Sequence, residues 1–299
     1  MFIYSKNYTL DWDRHIFPVE KYKLVFDRIQ AEGIAKPGDI IAPEPAKEED
    51  VLLVHAPEYW KKIVRLTEMP SRTILEFEAP FTKQTLSAVM YHTGGTITAV
   101  KTAVELGIAV INIGGGFHHA YSNRGGGFCF INDVAIAVKK ALISEWIKNC
   151  IIVDLDLHQG NGTAKIFENE QNVFTFSMHQ ERLYPKKETS SLDIGLADGT
   201  DDNKYLSILT ENLTSLLDSQ KYDLLLYIAG ADPFEKDQLG SLKLTSQGLA
   251  KRDAIVFSQA KSKSIPIAVV LGGGYAEKVE DVANIHFSTC REVRKCNFK

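Results

Sequence analysis

From residue 84 onward, short apolar runs alternate with stretches of helical spacing. Residues 85–105 carry apolar side chains at helical intervals and lead into the β-branched run 108–113. Residues 133–146 are helical before the strand-like 150–155, and 163–168 precedes 173–177. The same alternation gives a helix over 205–217 before 224–228, and another over 248–260 before 265–271. Strands that are apolar at every position, joined by helical crossovers, predict an α/β fold: a parallel sheet covered by helices on both faces. No repeat, low-complexity tract or long Gly/Ser linker breaks the pattern, so one domain over residues 1–299 is expected.

Polar and glycine-rich residues gather just past these runs, at 114–119, 154–158, 230–232 and 272–275. In open α/β sheets the ligand crevice lies beyond the carboxyl ends of the strands. Four separate segments should therefore meet at one edge.

Composition narrows the class. The net charge is −4 with both signs interspersed, which marks neither a nucleic-acid-binding nor an anionic-membrane surface. Lys186-Lys187 and the basic tail 291–299 read as solvated surface. Cys129, Cys150, Cys290 and Cys296 follow no metal or redox spacing, which suggests free thiols in a reducing compartment. The N-terminus lacks the order of a signal peptide, and no apolar run approaches the roughly 18 residues of a spanning helix. The expectation is a cytoplasmic protein with no membrane span.

The chemistry starts at residues 151–158, Ile-Ile-Val-Asp-Leu-Asp-Leu-His. Read as one strand, this segment turns Asp154, Asp156 and His158 to the same face. Such a face is costly to bury unless a cation sits there, and a divalent metal is the simplest one, with a structural ion-pair network as the alternative. Asp232, in Tyr-Ile-Ala-Gly-Ala-Asp-Pro, ends another apolar run, where Gly230 would let the backbone turn tightly; it is a third ligand or else a turn or N-cap aspartate. Asp156, His158 and Asp232 would leave an open coordination position, as catalytic zinc sites do, with Asp154 orienting an imidazole behind them.

His118-His119 follows three glycines and suits general acid–base work, although chance adjacency or a second metal site are alternatives. Tyr275 follows Gly272-Gly273-Gly274 on an expected flexible loop; its phenol is a core group or a donor to an oxyanion. No Walker lysine or dinucleotide fingerprint accompanies these glycines. In Arg124-Gly-Gly-Gly-Phe-Cys-Phe, Phe128 walls a channel or joins the core, and Cys129 has no basic partner and reads as packing.

Five segments, Gly-Gly-Gly-Phe-His-His-Ala, Arg-Gly-Gly-Gly-Phe-Cys-Phe, Asp-Leu-Asp-Leu-His-Gln-Gly-Asn-Gly, Ala-Gly-Ala-Asp-Pro and Leu-Gly-Gly-Gly-Tyr, occur in that order. Together they resemble the histone deacetylase superfamily, zinc-dependent amidohydrolases of the arginase/deacetylase fold, from residue 2 to residue 275. The resemblance implies a central, mostly parallel eight-stranded sheet in a single α/β domain. It implies zinc, or iron(II), on Asp156, His158 and Asp232, with His118 and His119 as the catalytic pair. It also implies that Asp154 backs His118 and that Tyr275 is the oxyanion donor. Gly127 matches a position whose carbonyl accepts from the scissile amide, and Phe128 a wall of an acyl-lysine tunnel. A potassium ion on backbone oxygens of Asp154, Asp156 and His158, with Ser177 and Met178, is implied as well.

Asn161 departs from the pattern: many members carry an aspartate there, behind the second histidine. The Gln-Gly-Asn-Gly wording, residues 94–100, Arg182-Leu-Tyr-Pro and the segment 15–22 instead resemble class IV histone deacetylases and their bacterial relatives. That likeness implies hydrolysis of acyl-lysine in a protein or peptide, with long fatty acyl groups as well as acetyl. Rival readings are an acetylpolyamine amidohydrolase, an arginase-like dimanganese hydrolase and a catalytically silent acyl-lysine reader. Nothing in the residues speaks to oligomeric state.

Overall fold

The computed structural model describes residues 1–12, 15–69 and 73–297. Its strands are β1 (Phe2–Ile3), β2 (Ile40–Ile41), β3 (Thr73–Ile74), β4 (Ala79–Pro80) and β5 (Ala109–Asn112), then β6 (Cys150–Asp154), β7 (Val173–Gln180), β8 (Leu192–Leu196), β9 (Leu225–Ile228) and β10 (Ile267–Val270). Its helices begin with α1 (Lys21–Ala31), α2 (Glu48–Val51), α3 (Pro57–Leu66), α4 (Lys83–Leu106) and α5 (Asp133–Ile143). They continue with α6 (Asn161–Ile166), α7 (Asp202–Ser219), α8 (Ser246–Ser262) and α9 (Val279–Asn297).

Eight strands form one sheet in the order β2-β1-β5-β10-β9-β6-β7-β8, every pairing parallel, while β3 and β4 make a separate antiparallel hairpin. The central strands β5, β6, β9 and β10 are buried at every position, which is why they read as continuous apolar runs. Edge strand β8 instead alternates half-buried with exposed residues until its last position. Helices cover both faces: α4 packs on β1, β5 and β10, α9 packs on β5 and on α1 and α8, and α7 packs on α8.

The five predicted strand–helix alternations are present with small shifts at their ends. The long helix α4 opens on Thr82, whose hydroxyl accepts from Thr85 N–H, and closes on Gly107 in the left-handed region at φ 65°. Gly94 and Gly95 serve close packing within it, since a Cβ at Gly95 would lie 2.7 Å from Asn112 Oδ1. The N-terminal strands, the hairpin, the helices before residue 83, β8 and α9 are added by the structure; α3 is strongly amphipathic and buries Tyr59, Trp60 and Ile63. The basic tail is corrected most: α9 runs to Asn297, Val293 is buried, Arg294 pairs with Asp39 at 3.3 Å, and Asn297 bonds both backbone groups of Ala109. Residues 298–299 of that tail lie outside the described residues. Lys187 is half-buried and donates to Leu183 O, whereas Lys186 is exposed as expected. Among the described residues no helix is long and apolar enough to cross a membrane.

Candidate active site

The four polar segments do converge past the carboxyl ends of β5, β6, β9 and β10. Main-chain bonds lace them together: Leu271 N–H to Gly114 O, Gly272 N–H to Gly115 O, and Ala231 N–H to Gly273 O. Gly116, at φ 92°, permits this approach, because a Cβ there would lie 2.7 Å from Gly272 Cα. Gly230 plays a different part from the expected tight turn: its φ is not positive, and a Cβ would instead collide with Asp156 Oδ2 at 2.5 Å. The glycine loop before Tyr275 is also tied rather than loose. Lys21 Nζ donates to Gly272 O (2.7 Å), Gly273 N–H to Asp156 Oδ2 (2.7 Å), and Tyr275 N–H to Asp237 Oδ2 (2.7 Å).

Strand β6 ends at Asp154, so the three polar residues do not share one strand face. Asp156 N–H donates to Asp154 Oδ1 (3.1 Å) and His158 N–H to Asp156 Oδ1 (3.0 Å). Each carboxylate captures the amide two residues ahead, and those local bonds replace a ladder and turn the chain. The turn still gathers the expected residues. Candidate donor atoms of Asp156, His158 and Asp232 all lie within 4.8 Å of one another, and each side chain is buried. His158 Nδ1 stands 3.2 Å from Asp156 Oδ1 and 3.1 Å from Asp232 Oδ2.

Two carboxylates this close, away from water, call for positive charge. Burial, and then the charge of Asp156, push the Asp232 carboxyl up to about 7. Burial lowers the basicity of His158, but Asp156 and Asp232 outweigh it and raise the imidazole to about 10. An oxygen, nitrogen, oxygen donor set of this charge fits a divalent ion such as zinc.

The two adjacent histidines differ sharply. His118 Nδ1 donates to Asp154 Oδ2 (2.7 Å), and its Nε2 lies 3.8 Å from Asp156 Oδ1. Burial opposes its charge, yet Asp154 and Asp156 prevail and raise it to about 9. His119 donates from Nδ1 to the neutral Asn161 Oδ1 (2.8 Å). Burial, then the neighbouring His118 and His158, hold it well below the ordinary imidazole value. The two Nε2 atoms are 3.2 Å apart. A protonated His118 can donate across that gap to the lone pair of a neutral His119.

Phe17, Gly127, Phe128 and Tyr275 line the pocket with this pair and Asp156. Phe128 sits at φ 66°, its N–H bonded to Phe77 O, which turns its ring to within 5.9 Å of Tyr275. The Tyr275 ring lies 6.2 Å from that of His158. Cys129 Sγ donates to Gly127 O, and burial pushes its thiol up, in keeping with a packing role. Ser177 faces Asp154 across the β6–β7 register with its hydroxyl 2.9 Å from His179 Nδ1, and Met178 beside it is buried.

Several contributors were missed. Tyr184 is 46 % exposed, and its ring lies 5.4 Å from His119 at the pocket's open side. Asp133 accepts from the amides of Gly116 and Phe117, and Asn132 Nδ2 donates to Ala120 O, fixing both ends of the histidine loop. Arg252 Nη1 donates to the carbonyls of Leu155 and Gly230, next to both aspartate turns. A signal existed for the last: Arg252 falls on the apolar stripe of α8 between Leu249 and Val256, where a charge must have a buried partner.

One eight-stranded sheet, parallel at every pairing and carrying this cluster past its carboxyl edge, defines an α/β protein with an edge site. The Histone deacetylase domain family model matches residues 15–290. Histone deacetylase 2 of Arabidopsis thaliana is 33% identical, covering 91% of this chain and 74% of that protein. An uncharacterized protein of Picosynechococcus is 39% identical over 94% of both chains. The crystal structure of an HDAC homolog from Aquifex aeolicus superposes with a TM-score of 0.83 at 23% identity, covering 98% of this chain and 83% of that one. The chain belongs to the histone deacetylase family, and it has that family's arginase/deacetylase fold.

Proposed function

We propose that this protein is a zinc-dependent hydrolase, formed as one catalytic domain over residues 1–299, that removes acyl groups from N-ε-acyl-lysine of proteins or peptides. The observation that carries the reading is a pocket lined by Asp156, two oppositely tuned imidazoles and a tyrosine, with His158 and Asp232 completing an oxygen, nitrogen, oxygen donor trio beside Asp156. Asp156, His158 and Asp232 would hold zinc, or iron(II), which when bound polarises the amide carbonyl and makes water a better nucleophile. His119, neutral with its lone pair on Nε2, takes the proton of the attacking water. His118, kept charged by Asp154, delivers a proton to the departing lysine amine. The Tyr275 hydroxyl donates to the oxyanion that develops on the acyl oxygen. Gly127 O accepts the scissile N–H, while Phe128, with Tyr184 across from it, encloses the alkyl stem of the lysine. A potassium ion on backbone oxygens of Asp154, Asp156 and His158, with Ser177 and Met178, would offset the carboxylates behind the donors.

The Arg182-Leu-Tyr-Pro and Gln-Gly-Asn-Gly segments support a place near the class IV members, with acyl groups from acetyl to long fatty chains as substrates. Four free cysteines support a cytoplasmic setting. The test is turnover of one lysine peptide bearing acetyl through myristoyl groups, alongside metal content and an Asp156→Ala control. Hydrolysis that depends on metal and on Asp156 is expected. Bound metal without hydrolysis of any acyl-lysine would overturn the substrate assignment.

A further inference from the structure

Behind His119 the neutral Asn161 is not the end of a hydrogen-bond path but its second member. Asn161 Nδ2 donates to the Tyr121 hydroxyl oxygen (2.9 Å), and the Tyr121 O–H donates to Glu188 Oε1 (3.0 Å). Asn161 and Tyr121 are buried, at 5% and 7% exposure, so neither has water as a ready substitute. The carboxylate sets every direction in the chain. Glu188 can only accept, so Tyr121 must give its one hydrogen outward. The phenol oxygen then accepts from the Asn161 amide nitrogen, which turns the amide oxygen toward His119 and requires the hydrogen of that ring to sit on Nδ1. The lone pair is thereby left on Nε2, facing His118 and the pocket.

The far end is anchored with equal care. Gln159 accepts from Glu188 N–H (2.8 Å) and donates to Glu188 O (2.7 Å). The Arg124 guanidinium lies 3.5 Å above the Tyr121 ring. Glu188 belongs to the same loop as Tyr184, whose ring borders His119 at the open side of the pocket. We propose that Tyr121 and Glu188 are positioning residues for His119, acting through Asn161 as a relay that fixes its tautomer and ties it to the loop at the pocket mouth. The negative charge that an aspartate at position 161 would place directly on the imidazole is here set two hydrogen bonds further out. This inference rests on the reading of His119 as an acid–base group.

Two measurements test it. Tyr121→Phe keeps the ring and removes the oxygen; it should lower kcat about 10-fold with little change in KM. Glu188→Gln, which keeps an acceptor and removes the charge, should move kcat in the same direction. In an Asn161→Asp background the relay is bypassed, and Tyr121→Phe should then cost less than about twofold. An equal loss in both backgrounds would assign Tyr121 a packing role and overturn the proposal. Independently of activity, the Nδ1 proton resonance of His119, assigned by its absence in His119→Ala, should shift in Tyr121→Phe. An unmoved resonance overturns the relay. If the wild-type protein hydrolyses no acyl-lysine peptide, the functional reading falls, and the resonance alone decides the relay.

Discussion

Two clusters of buried charge lie close together behind the glycine loops, and they are built on opposite plans. In one, Arg252 and Asp253 are both fully buried and bonded to each other, Nε to Oδ1 at 2.9 Å. Asp253 accepts further from Tyr227 and Thr289 hydroxyls at 2.6 Å each, and Arg252 Nη1 donates to the backbone carbonyls of Leu155 and Gly230. The charges cancel within the cluster. In the other, Asp156 and Asp232 crowd one imidazole, and the nearest lysine, Lys21, is turned onto Gly272 O instead. The first cluster pairs one cation with one anion; the second brings the donor atoms of Asp156, His158 and Asp232 together within 4.8 Å of one another. Burial of charge alone therefore does not mark a site, whereas convergence of buried donor atoms on one point does.

Substitutions should separate the two plans. Asp156→Ala removes a donor, so metal content and acyl-lysine turnover should both be lost, as read by elemental analysis and peptide assay. Its metal-free form should also be less stable than metal-free wild type, because the buried amides of His158 and Gly273 lose their acceptor. Full metal content and turnover in Asp156→Ala would break the distinction. Tyr275→Phe should reduce kcat by about 10²–10³-fold while metal content stays constant.

Arg252→Met attacks the balanced cluster and leaves Asp253 uncompensated. A loss of about 3–5 kcal/mol in urea unfolding is expected. A loss under about 1 kcal/mol would mean that the pair adds little beyond its packing. Weaker metal retention without a stability change would move Arg252 from the fold to the support of the Asp156 and Asp232 turns.

A graded effect comes from neutral histidines elsewhere. His55 accepts the Asn132 N–H at Nε2 and His92 accepts the Gly115 N–H at Nδ1, and burial lowers them from 6.5 to about 4 and about 3. Each folded pKa lies below the unfolded one, so their contribution is complete above pH 6.5 and declines as the pH falls toward those values. Each should cost about 1.4 kcal/mol per pH unit within its window. Urea titrations at pH 7, 6 and 5 of wild type beside His55→Gln and His92→Gln would measure it; a pH slope unchanged in the variants would contradict the neutral assignment.

The amino-acid sequence by itself determined the alternation of buried strands and helical crossovers, because a strand covered on both faces must be apolar at every position. It also determined the candidate ligands, since Asp156, His158 and Asp232 are polar residues placed where apolar runs stop. Tertiary structure alone decided how these residues are presented. The carboxylates of Asp154 and Asp156 end β6 by capturing nearby amides, an outcome that alternation of faces does not reveal. It likewise decided that Gly230 is needed for room beside Asp156, that α9 absorbs most of the basic tail, and that Asn161 leads to Tyr121 and Glu188. Periodicity reports local burial, whereas charge balance and hydrogen-bond direction depend on groups brought together from distant parts of the chain.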